Sequence, residues 1–278
     1  MSKIKDNPLV SVLIPTYNSE EYLEKCLKSI KNQTYHNIEI IVVDNYSKDK
    51  TVEIARRYTK KVYFRGQERS AQMNYGIKKA KGKYAYRVDS DFVVGVDVIE
   101  EAVSKCEKEG FDAVCVPNIS DPSVSFWSKV RKFERSFYRG RLNNTSARFF
   151  DKNTISKLGG FDENLVACED YDLQNKMLAN GLKIGFIDSG EIHLGEPKTI
   201  LDVIKGHFYY GATLKFFYKK NPNRARKQLN FIRPGYLNNL SKFIKNPILT
   251  LGFLFYQSVR YASAGVGHIF YSFKGDIV

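Results

Sequence analysis

Tyr84-Ala85-Tyr86-Arg87-Val88-Asp89-Ser90-Asp91 is the stretch on which the reading of the fold turns. Tyr84, Ala85, Tyr86 and Val88 form an apolar run that predicts a buried strand, and two carboxylates one residue apart stand where it ends. Such a pair can share a hard divalent cation. Mg²⁺ and Mn²⁺ favour oxygen ligands, and often take only one or two protein carboxylates, leaving their other positions to water and phosphate oxygens. In open α/β sheets ligands bind beyond the carboxyl ends of the strands, so a nucleotide diphosphate is expected at this point. An Asp-Ser-Asp triplet also occurs in solvated turns, and its meaning depends on what surrounds it.

Working outward, strands and helices alternate. Val10-Ser-Val-Leu-Ile14 is a short apolar run stopped by Pro15, and Asn18 or Ser19 is placed to cap a helix whose positions Tyr22, Leu23, Cys26, Leu27 and Ile30 share one face. Ile38 to Val43 predicts a second strand ending on Asp44, followed by a helix from about Thr51 to Tyr58 and a short strand at Val62-Tyr-Phe64. Ser70 opens a helix with Met73, Ile77 and Ala80 inward, closed by Gly82. Beyond the strand carrying Asp89, Asp97 caps a helix through Ile99, Val103 and Cys106, and Asp112 to Val116 is a fifth strand. This alternation means βαβ units and a mainly parallel sheet flanked by helices. After Pro117, Phe126, Val130, Phe133 and Phe137 recur at helical spacing, read as a helix packing on the sheet. Ser146 to Phe150 reads as a strand, and Glu169 to Ala179 as a helix stopped by Asn180-Gly181.

Composition sets the bounds. The 278 residues suit one large domain, or a domain plus an appendage, and a 43% hydrophobic content allows a sizeable core. Cys26, Cys106, Cys115 and Cys168 are widely spaced with no Cys-x-x-Cys pair, which argues against a zinc site or disulfide framework and suits a reducing compartment. Met1 to Pro8 is polar and runs straight into a strand, so no signal peptide is expected. The net charge of +14 is concentrated: residues 198–278 hold 13 Lys/Arg and 2 Asp/Glu. A basic tail on a near-neutral body implies an acidic partner at the tail.

The acidic and polar residues at strand ends form an ordered set. Val10-Ser-Val-Leu-Ile-Pro-Thr-Tyr-Asn18, Ile41-Val-Val-Asp44 with Ser47 and Thr51, Asn74-Tyr-Gly-Ile77 and Ala80-Lys-Gly82 come first. Asp89-Ser-Asp91, Gly159-Gly-Phe-Asp162, Glu169-Asp-Tyr-Asp-Leu173 and Gly181 follow. In this order and spacing, over roughly residues 9–195, the sequence resembles the family 2 glycosyltransferases of the GT-A fold. The resemblance implies a Rossmann-like catalytic domain over 1–197, with a nucleotide-binding half at about 1–117 and an acceptor-binding half at about 118–197. Pro15, Thr16, Tyr17, Asn18 and Glu20 would then line the nucleotide pocket, with Asn74 near it, and Asp44 would hydrogen-bond base or ribose. Asp91 would bind Mg²⁺ or Mn²⁺, with Asp89 touching ribose or metal. Asp170, beside Glu169, would be the general base of an inverting transfer. An acceptor hydroxyl is a poor nucleophile until a carboxylate takes its proton, and the metal stabilises charge on the departing diphosphate. His193, after a short strand, is a candidate metal or phosphate ligand, and Arg69, ahead of Asn74, can approach phosphate. Phe92 stands where a further acidic residue is common in the family, and Lys176 where arginine is usual. No Gln-x-x-Arg-Trp motif is present, against a processive synthase.

From Thr199 the chain is basic and aromatic. Asn246 to Val259 and Tyr261 to Phe273 are uncharged, with Arg260 between them. Each run falls short of the roughly 20 residues of a spanning helix, so residues 198–278 are read as an extension of short amphipathic helices lying at a membrane surface. The resemblance extends to members acting on lipid-linked sugars, which implies a UDP- or GDP-linked donor, a polyprenyl-phosphate-linked saccharide acceptor, and a peripheral place on the cytoplasmic face of an anionic membrane. Direct transfer to polyprenyl phosphate, in the manner of a dolichol-phosphate-sugar synthase, is a close variant. A nucleic-acid-binding protein explains the charge and the interleaved aromatics, but not acidic residues at successive strand ends, which repel a polyanion. A sugar-phosphate nucleotidyltransferase would need a Gly-rich basic loop after the first strand, and Pro15-Thr-Tyr-Asn18 is not one.

Overall fold

The computed structural model describes residues 7–66 and 68–274, with the side chain of Lys274 excepted. The first elements are β1 (Val10–Thr16), α1 (Leu23–Lys31), β2 (Ile38–Asp44), α2 (Thr51–Tyr58), β3 (Val62–Phe64), α3 (Arg69–Lys79) and β4 (Tyr84–Arg87). They are followed by β5 (Phe92–Val94), α4 (Val98–Glu109), β6 (Ala113–Cys115), β7 (Asn118–Ser120), α5 (Phe126–Arg135), β8 (Ala147–Asp151), α6 (Lys152–Lys157) and α7 (Glu169–Ala179). The remainder is β9 (Ile184–Phe186), β10 (Glu191–His193), α8 (Ile200–Gly211), α9 (Leu214–Lys220), α10 (Pro222–Gln228), α11 (Pro234–Leu237), α12 (Leu240–Lys245) and α13 (Pro247–Lys274). Two compact units share these elements. The first comprises residues 1–118, 146–163 and 173–195, and the second 119–145, 164–172 and 196–278.

The first unit is built on a seven-stranded sheet in the order β3-β2-β1-β4-β8-β6-β9. β1 pairs in parallel with β2 on one side and β4 on the other. The chain therefore moves outward through β2 and β3 and returns across β1 to β4, which makes the carboxyl ends of β1 and β4 a topological switch point. All seven residues of β1 are buried, which is why Val10-Ser-Val-Leu-Ile14 reads as a continuous apolar run with no alternation. The strand continues through Pro15 to Thr16, beyond the stop expected from sequence. Pairing with β4 ends at Leu13, so Pro15 has only β2 beside it, and its missing N–H breaks no ladder. β8 lies antiparallel to both β4 and β6, making the sheet mostly parallel with one reversed strand. Leu23, Leu27 and Ile30 of α1 and Ile99 and Val103 of α4 pack with Val12, Val42, Tyr86 and Phe149 in its core.

Helix starts differ in detail from the sequence reading. Neither Asn18 nor Ser19 caps α1, whose N-cap is Tyr22 with no side-chain bond. Asn18 adopts a left-handed φ of 45°, and its side chain is used elsewhere. Asp97 does occupy the N-cap of α4, without a side-chain bond, and α3 opens at Arg69, one residue before Ser70.

The second unit is helical. Val130, Phe133, Phe137 and Tyr138 cluster with Val203, Tyr236, Phe253 and Tyr256, so α5 packs on α13 and α8, where the sequence reading set it against the sheet. The two uncharged runs of the tail form one 28-residue helix, α13, and not two short ones. Arg260 does not interrupt it because its guanidinium turns inward to Glu134, 2.9 Å away and 0% exposed. No described helix is long and apolar enough to cross a membrane.

Candidate active site

The ends of β1 and β2 are knitted together by short polar side chains. Asp44 is fully buried; its Oδ2 accepts from Thr16 Oγ1 at 2.8 Å and Ser47 Oγ at 2.6 Å, and its Oδ1 accepts from the Ser47 amide at 2.8 Å. A carboxylate has about four acceptor sites, so capacity for one more donor remains. Asn18 donates its amide to Ser47 Oγ at 2.8 Å and accepts from the Lys48 amide at 2.9 Å. Glu20 accepts from the Lys50 amide at 3.0 Å. The loops after the first two strands thus form one rigid rim, with Tyr17 and Tyr46 exposed on it. Tyr46 holds a positive φ of 53° and stacks on Phe64. A non-glycine residue in that conformation persists where its surroundings over-determine it, commonly at a binding site.

The two carboxylates after β4 take different partners. Asp89 faces three guanidinium groups: Arg148 Nη2 at 2.8 Å, Arg87 Nε at 3.3 Å and Arg69 Nη1 at 3.9 Å. Burial pushes its carboxyl up, but Arg87, Arg148 and Arg69 together outweigh that and hold it well below the usual carboxylate range. Asp91 Oδ2 lies 2.9 Å from His193 Nε2. β10 delivers His193 by pairing antiparallel with β5, which sets His193 opposite Phe92, and the two rings stack with centroids 4.6 Å apart. Phe92, where an acid is usual, therefore positions the imidazole and also carries the Arg148 guanidinium 4.8 Å from its ring centroid.

Two residues at this site, Arg148 and Gly195, escaped the sequence reading. Arg148 bridges Asp89 and the fully buried Glu191, with Nε 3.2 Å from Glu191 Oε2, and Glu191 also accepts from the Tyr86 hydroxyl. Burial raises the Glu191 carboxyl above its ordinary value despite Arg148. A charged residue inside an apolar run, as in Ala147-Arg-Phe-Phe150, is the signal that could have found it. Gly195 is the other: a Cβ there would overlap Asp91 Oδ2.

Not every candidate joins this group. The Asn74 amide is committed to the turn after α6, donating to Phe161 O at 2.9 Å and Glu163 Oε1 at 2.8 Å and accepting from the Phe161 amide at 2.9 Å. Lys176 donates to Gly160 O of the same turn at 2.9 Å. Glu169 and Asp170 belong to the second unit, in the first turn of α7, where Glu169 is buried and Asp170 Oδ1 accepts from the Tyr171 amide at 2.8 Å.

A divalent metal fits this chemistry in a limited way. Among the described residues no group of three or more His, Cys, Asp and Glu donors converges. Asp91 and His193 offer two, and Asp91 Oδ2 occupies the space that a side chain at position 195 would fill. One or two protein donors suffice for Mg²⁺ when phosphates complete the shell.

The fold and the acidic strand-end set define a GT-A glycosyltransferase. The family described as Glycosyl transferase family 2 matches residues 11–161, and the chain belongs to that family. An uncharacterized glycosyltransferase of Rickettsia typhi is 31% identical over 189 residues, which are 62% of this chain and 59% of that protein, so the chain spans under two thirds of its relative. In fold the chain is similar to the mannosyltransferase PcManGT from Pyrobaculum calidifontis in complex with GDP-Man and Mn²⁺. The TM-score is 0.67 at 16% identity, covering 98% of this chain and 89% of that one. It is also similar to glucosyl-3-phosphoglycerate synthase from Mycobacterium tuberculosis in complex with Mg²⁺ and UDP, with a TM-score of 0.58 at 15% identity, covering 78% and 80%.

Gly195 yields a direct expectation. Gly195→Ala should leave the melting temperature within a few degrees of wild type, and, if Asp91 holds a metal under a nucleoside diphosphate, should remove most of the stabilisation that the nucleotide gives in Mn²⁺, because the added methyl displaces Asp91. Thermal melts with and without Mn²⁺ and nucleotide measure both; an undiminished nucleotide shift would show that Asp91 tolerates displacement.

Proposed function

We propose that this chain is an inverting, metal-dependent glycosyltransferase that moves a sugar from a UDP- or GDP-linked donor to a phosphate-bearing, lipid-linked saccharide at an anionic membrane surface. The observation that carries it is the separation of the two carboxylates, one neutralised by arginines and the other paired with His193. Asp91 and His193 would hold the metal, which supplies positive charge to the diphosphate as it leaves. Asp89, fixed by Arg148 and Arg87, would orient the ribose, and Asp44, held by Thr16 and Ser47, would accept from the base or ribose. Arg69 adds a cation near Asp89 for phosphate. Asp170 takes the proton of the acceptor hydroxyl. The two solved structures carry GDP-Man with Mn²⁺ and UDP with Mg²⁺. A thermal-shift panel of UDP, GDP and their sugars, with Mn²⁺ or EDTA, identifies the base and tests the metal together. No nucleotide shift under any condition would refute the reading.

The membrane part rests on α13. At 1.5 Å per residue the helix is about 42 Å long. Ile248, Leu251, Phe255, Ser258, Ala262, Val266, Ile269 and Phe273 make an exposed stripe along it with no charged side chain. Its charge at Arg260 faces the opposite way, to Glu134, and Lys242 and Lys245 precede it. An uncharged stripe beside basic residues suits the headgroup boundary of an anionic leaflet. Deleting 236–278 would strip partners from α5, so surface substitutions test the point better. Ile248 and Leu251 are 72% and 70% exposed, and the double change Ile248→Glu/Leu251→Glu should cut co-sedimentation with anionic vesicles by at least about tenfold in high salt, where the basic contribution is screened. Undiminished pelleting would rule this face out.

A further inference from the structure

Arg148 stands where two routes to the Asp89-Ser90-Asp91 triplet meet. β8 runs antiparallel to β4 with Phe149 opposite Tyr86, which brings Arg148 beside the end of β4. Its Nε donates to Arg87 O at 3.3 Å and its Nη2 to Asp89 Oδ2 at 2.8 Å. Arg87 reaches the same carboxyl group from 3.3 and 3.4 Å, so Arg148 makes the closer bond. That is the direct route. The other passes through Phe92. The guanidinium lies 4.8 Å from the Phe92 ring centroid, Phe92 stacks on His193 at 4.6 Å, and His193 Nε2 is 2.9 Å from Asp91 Oδ2. All of these residues belong to the first unit.

Glu191 holds the other side of Arg148. It is two residues from His193 on β10, so the two side chains leave the strand on one face. Glu191 is 0% exposed, and its Oε1 accepts from the Tyr86 hydroxyl. Its Oε2 lies 3.2 Å from Arg148 Nε but has no hydrogen-bond partner among the described residues. An ion contact without a hydrogen bond is a poor source of stability. Taking two charges out of water costs more than imperfect geometry returns, and apolar side chains of similar volume often hold a fold as well or better. A buried oxygen left without a donor therefore calls for a reason other than stability. The geometry offers one: Glu191 keeps the guanidinium between Asp89 and Phe92.

We propose that Arg148, anchored by Glu191, is a positioning residue for the donor site: it fixes Asp89 directly and Asp91 through Phe92 and His193, so that the two carboxylates keep one spacing before metal and diphosphate arrive. This deepens the glycosyltransferase reading and rests on it for the roles of Asp89 and Asp91. Arg148 itself touches neither donor nor metal, and no bond is made or broken at it. Its effect is to hold ready the groups that do, as outer partners of metal-binding side chains commonly do.

The test is a double-mutant cycle on the full chain: wild type, Arg148→Met, Glu191→Gln and the two changes combined. UDP and GDP are titrated into each in Mn²⁺ by calorimetry, and each melting temperature is recorded. Either single change should weaken the nucleotide roughly ten- to hundredfold, the range for losing an outer partner of a metal ligand. The double variant should be no weaker than Arg148→Met, because Glu191 acts only through Arg148. It should also melt within a few degrees of wild type, since both buried charges leave together and an amide oxygen remains to accept from the Tyr86 hydroxyl. The double variant thus decides the matter even where Arg148→Met alone, which strands the Glu191 carboxylate, does not fold. A second readout needs neither metal nor nucleotide. The ring-proton signals of His193, assigned with His193→Gln and read by NMR in EDTA, should move in the double variant as the stack on Phe92 loosens. A double variant that binds nucleotide as wild type does, or one whose His193 signals stay in place, would overturn the proposal. Losses that add in the double variant would overturn the anchoring by Glu191. Failure of the donor reading looks different: wild type itself would then bind no nucleotide in Mn²⁺, whatever the His193 signals do.

Discussion

Asp91→Ala is expected to reduce glycosyl transfer by roughly 10³-fold or more, about 4 kcal/mol of barrier, because it removes the carboxylate proposed to hold the metal. The same change should barely move the melting temperature. Asp91 is 30% exposed, and its partner is His193 at 2.9 Å, so the pair is partly solvated and contributes little to folding. It is also set apart from the buried Arg148–Glu191–Tyr86 network, whose disruption would strand a buried charge. EDTA should act on wild type as the substitution does, and Mn²⁺ should no longer enhance the nucleotide shift of the variant. Transfer assays and melts on the same preparations decide it: wild-type turnover in Asp91→Ala, or in EDTA, would remove the metal from the mechanism.

Asp170→Asn is expected to lower turnover by 10²–10⁴-fold, roughly 3–5 kcal/mol, while donor affinity stays within a factor of about two. Asparagine retains the oxygen that accepts from the Tyr171 amide, so the first turn of α7 should be kept while the basicity is lost. The residues proposed for the donor lie in the first unit and Asp170 in the second, which is why the two effects should part. Donor titration in Mn²⁺ and single-turnover transfer are the measurements. Unchanged turnover, or weakened donor binding in its place, would take the base assignment from Asp170.

Much of this was legible in the sequence because it is local. Buried central strands such as β1 and β2 write themselves as unbroken apolar runs, and α1 and α4 as one-sided helical patterns. The acidic ends of β2 and β4 follow from where parallel strands stop. What was not legible depends on partners distant in the chain. Arg148 lies 59 residues from Asp89, and Tyr86 lies 105 from Glu191. Arg260 read as a break in an apolar tail because its carboxylate is 126 residues away. The second unit is gathered from three separate segments, and only the last of them, the basic tail, has a compositional edge; residues 119–145 and 164–172 have none. Asn18 looked like a helix cap from its residue type, yet the neighbouring β2 loop engages its side chain through the Lys48 amide.

The 126-residue separation of Glu134 and Arg260 also has a consequence for synthesis. At about 5–20 residues per second, α5 leaves the ribosome roughly 6–25 seconds before α13 is made. Through that interval Val130, Phe133 and Glu134 lack Phe253, Tyr256 and Arg260, so the aromatic face of α5 stays uncovered while the strands of the seven-stranded sheet, all of them before residue 187, are completed. The nascent protein therefore carries a complete set of sheet strands and an uncovered apolar helix face together, and exposed apolar surface of that kind is expected to need shielding from other chains until its last helix arrives.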